Sequence, residues 1–489
     1  MKLEVYTVRE LDRCPGEGLA GRRKIKSTVR AVGINNVREV LDQALGVHAL
    51  NAAEINYLWN YYKGLQDVRF KEKYVRENIN EKVTVNRANE IVAFKSSLLL
   101  EEPIQYISHS RTDKSEENDE ISKRVNRLNE MMRATGKETV DKSVVDWLHI
   151  CGVGVKLAQR DPDETDAPFA IYSVDPRNAF VIYEDRVGEK PLAGVVLGVD
   201  GNGKRTADVF TENVHYLVSD EAVSVIAHTQ YNAVPVVEYI NNEARMGAFE
   251  PVISILNGIN QLESNALDSV EDYVNGFDVF QNCDISDGDY QGLGIGGKAV
   301  KIKTVTPGME AKVYRVASEL SQSGVQTRVD DLTSAYLEIC GMPQRNGGKS
   351  TSDTGAATIF RDGWATAVSR AKETETMFRQ AERRFCRVVL NICKVQGVDV
   401  PELGDFECEF LVHKLSNIQS KTQVLCELLN NPYVHPKYAY QAAGVFDDNE
   451  EAYRAGMEWK AALDKETEDS MNEALDAERE RLKKKAETK

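Results

Sequence analysis

The chain has 489 residues, 42% apolar and 28% charged, with a formal net charge of −16. That length holds a core large enough to need no disulfide staples, and no apolar run reaches the length of a membrane span. The acidic balance excludes a broad, non-specific grip on nucleic acid, which rests on phosphate neutralisation, but leaves open a small basic contact or confinement without gripping.

Eight cysteines are scattered with no CxxC pair, and His413 and His435 supply no zinc spacing. They read as free thiols in a reducing cytosol. Cys386 and Cys393, seven apart on one helix face, read as core. The N-terminal MKLEVYTVRE carries acids where a signal peptide needs an apolar stretch. The fold class is α+β, mainly helical.

Residues 1–50 are mixed. Their basic cluster Arg22-Arg23-Lys24-Lys26 suits either phosphate contact or, preferably, a solvated arm. From Asn51 the spacing of Ile55, Leu58, Tyr62 and Leu65 predicts a helix ending near Gly64. A second helix leads to Pro103, a polar connection spans 110–120, and another helical stretch runs over 121–150. Between about 168 and 240 the period falls to two, in short runs parted by turn residues, which predicts a small antiparallel β module.

A helix follows over 248–277, striped by Val252, Leu256, Ile259, Leu262, Ala266, Val270, Tyr273 and Phe277. From Met246 to Gly297 there is no Lys or Arg, and nine acids fall in that window, Glu250, Glu263, Asp268, Glu271, Asp272 and Asp278 among them. Solvated helix faces usually mix signs, so a single-sign face suits repulsion of an anion; a chance acidic surface is the equal alternative. The stretch 298–315 alternates like a strand and carries five bases against one acid. A helix over 318–340 is striped by Val325, Val329, Leu332, Tyr336 and Ile339. Another, over 353–396, is striped by Phe378, Ala381, Phe385, Val388, Ile392 and Val395, with Gly363 as a bend. The strand FECEFLVH, three C-terminal helices with Asp447 or Asp448 capping the last, and a charged tail complete the chain.

Between the two long helices, GMPQRNGGKST ends like a phosphate-binding loop. Such a loop needs G-x-x-x-x-G-K-[ST] after a strand. Here Pro343 stands where the first glycine belongs, and proline lacks the N–H and cannot take positive φ. The segment before it has helical period. What remains is a basic loop carrying Arg345 and Lys349, or an ordinary solvated linker. GLGIGG at 292–297 precedes a strand, the wrong order for a dinucleotide fold. No catalytic residue and no cofactor site is assigned.

Four stretches together resemble the phage portal protein family of long-tailed bacterial viruses, SPP1-type. They are YYKGLQ with NRANEIVAFKSSLLLEEPIQY, FEPVISILNGINQLESNALDSVEDYVN, GVQTRVDDLTSAYLEICGMPQ with its Gly/Ser-rich loop, and LNNPYVHPKYAYQAAGVFDDNEEAYRAGMEWKA. The resemblance covers about 50–465 and rests on the order of elements more than on identity. Lys349 departs from the family's usual Asn/Gly/Ser loop.

The resemblance implies a portal fold: N-terminal arm and wing over 1–247, first stem helix 248–279, clip 280–316, second stem helix 317–340, and tunnel loop 341–352. A long wing helix and return strand (353–411), crown helices (412–465) and a charged tail (466–489) follow. It implies a ring, typically dodecameric, at one capsid vertex of the virion, assembled in the bacterial host cytoplasm without membrane. Double-stranded DNA passes through it non-specifically during packaging and ejection. The implied partners are the terminase large subunit, a head–tail adaptor, and the major capsid and scaffolding proteins; the chain hydrolyses nothing.

On this reading, Gln344, Arg345, Asn346, Gly347, Gly348, Lys349, Ser350 and Thr351 form the loop that touches the duplex. Glu263, Asp268, Glu271, Asp272 and Asp278 line the channel or meet a neighbouring subunit. Lys298, Lys301 and Lys303 face acidic partners at the clip, or pair between subunits. The alternatives are a structural head adaptor without a channel and a packaging ATPase.

Overall fold

The computed structural model describes residues 21–74, 77, 79–108, 115–161, 166–274, 277–284, 303–306, 308–310, 312–316, 322–344, 363–410, 418–446, 452–465 and 467. The chain divides into two compact units, Met1–Asn346 with Asp362–Val412, and Gly347–Arg361 with His413–Lys489. The fold is mixed α/β, with helices and small sheets.

In the first unit, β1 (Ile25–Ser27) precedes α1 (Val37–Tyr62). That helix starts well before the predicted Asn51. Val37, Val40, Leu41, Ala44 and Leu45 are buried, and they belong to one apolar cluster with the β-sheet residues Phe180, Val195 and Val209. Tertiary packing extends the helix where composition looked mixed. The expected solvated arm is also corrected. Arg22 is buried between Glu54 and Glu250, Arg23 pairs with Glu54, and Lys24 and Lys26 pair with Glu189.

Next come α2 (Arg87–Leu99), β2 (Gln105–Ser108), α3 (Ser115–Ala134) and α4 (Lys137–Cys151). The β module begins at β3 (Val153–Arg160), earlier than the expected 168. Six successive residues of β3 are buried, so no alternation marks it, and no turn residues separate it from α4 beyond Gly152. After it run β4 (Phe169–Val174), β5 (Ala179–Glu184), β6 (Pro191–Val199), β7 (Arg205–Phe210), β8 (Val214–Ser219), β9 (Val223–His228) and β10 (Val236–Ile240). They form two sheets, β1-β5-β6-β7-β8-β9 and β10-β3-β4. All pairs are antiparallel except β1–β5, which is parallel, so the module is larger than predicted and mixed.

A single 3₁₀ turn at Glu250–Val252, holding Pro251, leads into α5 (Ile253–Val274). Phe277, expected as its last apolar residue, opens β11 (Phe277–Gln281) instead. Short strands β12 (Cys283–Asp284), β13 (Lys303–Thr304) and β14 (Lys312–Val316) follow, with β11 on β14 and β12 on β13. Then come α6 (Gln322–Cys340) and α7 (Trp364–Val395). Gly363 has φ +85° and is the N-cap of α7; residues 353–362, the first part of the expected helix, lie outside the described residues. β15 (Phe406–Glu409) pairs antiparallel with β2.

The predicted face of α7 is buried from Phe378 to Ile392, each large side chain contributing roughly 1.5–3 kcal/mol, and only Val395 emerges. Cys386 and Cys393 lie in that core, and burial pushes both thiols up to about 12. In the second unit, α8 (Ile418–Leu429) packs on α9 (Pro436–Ala443) around Leu425, Ala439 and Ala443. A further helical stretch covers 452–465. The expected cap at Asp447 or Asp448 lies outside the described residues.

Candidate functional site

The candidate site is the pair α5–α6 and residues 341–344, which leave α6. Leu256 and Ile259 of α5, and Val329, Tyr336 and Leu337 of α6, lie in one apolar cluster with α1 and α2. The stripes fade towards the far end of α5, where Leu267 and Val270 are exposed; Ile339, near the end of α6, is exposed as well.

A second face of α5 is polar and occupied. Asn257, Asn260, Ser264 and Asp268 recur at helical spacing and receive the chain around residues 61–86. The backbone N–H of Val85 donates to Asn260 Oδ1 (2.8 Å), that of Val83 to Ser264 Oγ (3.0 Å), and that of Glu81 to Asp268 Oδ1 (2.7 Å). Alternate N–H groups of a strap thus meet successive turns of a helix. Lys71 and Lys73 close its end on Asp268 Oδ2 at 2.6 and 3.0 Å.

At the other end, Tyr61 Oη donates to Asn257 Oδ1 (2.8 Å), and Asn257 Nδ2 donates to Asp67 Oδ2 (2.8 Å). Gln66 is fully buried. Its Nε2 donates to the Tyr61 carbonyl and to Asn86 Oδ1, while its Oε1 accepts from Asn260 Nδ2. Asn86 in turn donates to the Tyr62 carbonyl and caps α2. Gly64 turns the chain with φ +90°. The stretch YYKGLQ is therefore the hook that hangs the strap on α5.

This arrangement takes Asp268 out of the acidic face of α5. Asp268 is buried and internally paired, so it does not line an open surface. Burial alone would raise its carboxyl, but hydrogen bonds from Lys71, the Glu81 backbone and Lys73 outweigh burial and hold it below the usual range. Glu250 is likewise turned inward. It accepts from Arg22 at 2.7 Å and from the Gly247 N–H at 2.8 Å, and burial raises its carboxyl despite that arginine.

Of the remaining acids, Glu263 is half-buried near Arg87 and Glu271 is exposed. Asp272 sits in the last turn of α5, and Asp278 stands opposite Arg315 in the β11–β14 register. Lys303 lies opposite Asp284 between β13 and β12. Lys298 and Lys301 fall outside the described residues.

α6 ends in a Schellman motif. The Met342 N–H donates to the Leu337 carbonyl and the Gly341 N–H to the Glu338 carbonyl, with Gly341 at φ +65°. Leu337 and Met342 are both buried in one cluster, the apolar contact such an ending favours. Gln344 donates to the Ser334 carbonyl at 3.1 Å. A helix, not a strand, thus precedes the lysine-bearing loop, contrary to what a phosphate loop requires. Arg345, Asn346, Gly347, Gly348, Lys349, Ser350 and Thr351 lie outside the described residues.

The family model described as phage portal protein, SPP1 Gp6-like, matches residues 42–473. The chain belongs to that family. No curated protein matches it. Portal membership supports a general role in the DNA-packaging channel of a phage and a virion context. No helix among the described residues is long and apolar enough to cross a membrane.

The sequence reading missed a second polar feature of this portal chain, a closed ion cluster in the wing core. Lys156 bridges Asp141 (2.5 Å) and Glu382 (2.9 Å), and Lys137 bridges the same two carboxylates. Tyr106 and Tyr239 each donate to Glu382 at 2.6 Å. Two cations face two anions, and the cluster ties β2, α4, β3, β10 and α7 together. A signal was present: Glu382 interrupts the apolar row Phe378, Ala381, Phe385. Asn257, Asn260 and Ser264 were missed because each is an ordinary polar residue until the strap is in place.

Proposed function

We propose that the chain assembles as a ring, a dodecamer by the family pattern, at one capsid vertex and forms the channel for double-stranded DNA. The match over residues 42–473 carries this reading. The α5–α6 pair is the channel stem; Glu263 and Glu271 of α5, with exposed Asp330, Asp331 and Glu338 of α6, are acids left to face DNA or a neighbouring copy. Acidic walls repel phosphate and keep a duplex sliding. Arg345 and Lys349 brush the backbone transiently and read no sequence. The strands between α5 and α6 meet the terminase large subunit and the head–tail adaptor. The protein is not an enzyme.

Negative-stain images of the purified chain test the reading. A ring with a central hole is expected; particles without one favour a head adaptor. Arg345→Ala with Lys349→Ala should leave rings intact and impair packaging. Loss of assembly instead makes the loop structural. ATP turnover abolished by Lys349→Ala would establish the packaging ATPase.

A further inference from the structure

The first described residues are pinned beside a cleft. The Arg22 N–H donates to the Arg245 carbonyl at 3.0 Å, and the Arg22 side chain is buried between Glu54 and Glu250. Gly21 has φ +83°, and a Cβ there would sit 1.9 Å from the Ala244 carbonyl oxygen. Only glycine lets the two backbones pass that closely. Residues 1–20, outside the described residues, therefore join the fold at a fixed point against Ala244.

Both neighbours of Ala244, Glu243 and Arg245, line a cleft of about 820 Å³, as does Lys24, three residues past Gly21. That volume lies within the ~300–1,000 Å³ of a pocket that buries a bound ligand. Much of its charge is settled: Arg245 is engaged by Glu238, and Lys24 and Lys26 by Glu189. Arg384, half-buried on α7, and exposed Glu243 have no oppositely charged group within ion-pair distance among the described residues. Val187, also on the wall, is apolar yet fully exposed. The cleft thus presents a cation, an anion and apolar surface that the described residues leave unmatched.

We infer that this cleft is the seat of the chain's own residues 1–20. The segment starts at the cleft wall, so it acts at an effective concentration of ~mM and weak pairs suffice to hold it. Extended chain covers about 3.3 Å per residue, so Glu17 reaches about 13 Å from Gly21 and Asp12 about 30 Å. Its composition answers the cleft. Asp12 and Glu17 are carboxylates for Arg384, Arg13 is a base for Glu243, and Leu11 and Leu19 are apolar surface for Val187 and Met377. A bound phosphate would answer Arg384 and leave Glu243 unmatched beside it. The inference concerns a single chain and does not depend on ring formation.

Cys14 is the one cysteine of the segment and serves as the probe. In a Gln380→Cys chain, a short bismaleimide should join Cys14 to the thiol introduced on the cleft wall, within single chains, as read by peptide mass spectrometry. Adding Cys14→Ser should abolish the link. Arg384→Glu should lower the linked fraction about tenfold or more by setting like charges together. Arg384→Lys should retain most of it, and Asp12→Lys/Glu17→Lys should restore part of it to the Arg384→Glu chain. Unchanged far-ultraviolet circular dichroism excludes misfolding. Independently, removal of residues 2–19 should speed amide exchange over 183–189, which line the cleft. No link, a link indifferent to Arg384→Glu, or unchanged exchange overturns the inference. A link found only between two chains overturns it in favour of an exchanged segment.

Discussion

Asp268 shows how one side chain changes meaning once its neighbours are known. In sequence it is one more acid on an acidic helix; in the fold it anchors a strap through Lys71, Lys73 and the Glu81 N–H. Asp268→Asn keeps an acceptor for that N–H but leaves two lysines without a charge partner. A loss of about 3 kcal/mol at neutral pH is expected in denaturant melts. Because the folded carboxyl titrates below its unfolded value, its contribution is fully present above about pH 4 and fades as pH falls through the folded pKa. The gap between wild type and Asp268→Asn should therefore close in acid; a gap of constant size would show that charge is not the cause. Glu382→Gln removes the hub of two lysines and two tyrosines, and about 3–5 kcal/mol should go with it.

Elements were legible where an apolar stripe ran unbroken. Phe378, Phe385 and Ile392 announced α7, and Leu256 and Ile259 announced α5. They were hard to read where tertiary packing decides. β3 is buried on both faces and does not alternate, and the first half of α1 is held by a sheet far along the chain. Of the candidate site, the helix before the loop was readable from its period. The strap was not, because its bonds join residues 81–85 to residues 260–268 through backbone N–H groups that carry no sequence signature. Asn260→Ala should cost about 2 kcal/mol, since it leaves the Val85 N–H and buried Gln66 each short of a partner. Gly341→Ala should cost about 1 kcal/mol by straining the positive-φ ending of α6. Both are checked by thermal and urea unfolding.

Across the molecule, stability is unevenly shared. The first unit holds four apolar clusters and the closed ion cluster, while α8 and α9 enclose a core of only Leu425, Ala439 and Ala443, with a few half-buried neighbours. Amide hydrogen exchange should therefore be fastest in α8, α9 and 452–465 and slowest in α4 and the buried half of α7. Equal protection in both would refute that ordering. The thiols give an independent measure. Cys151, Cys340, Cys386 and Cys393 are buried and raised by burial, so a thiol reagent should reach them only on unfolding, while exposed Cys426 reacts at once.

The strap and α5 behave as two rulers with slightly different divisions. Four helical residues advance about 6 Å, two residues of extended chain about 6.6 Å, and each helical step also swings roughly 40° around the axis. From Asn260 to Asp268 the drift is small enough for three rungs to form. Each further rung would add about 0.6 Å of slip and another turn away from the strap. The lysine pair closes the series at the third rung, before the divisions fall out of step. One residue inserted into α5 between Asn260 and Asp268 would put the rulers out of phase at once, so this stretch should tolerate changes of composition far better than changes of length.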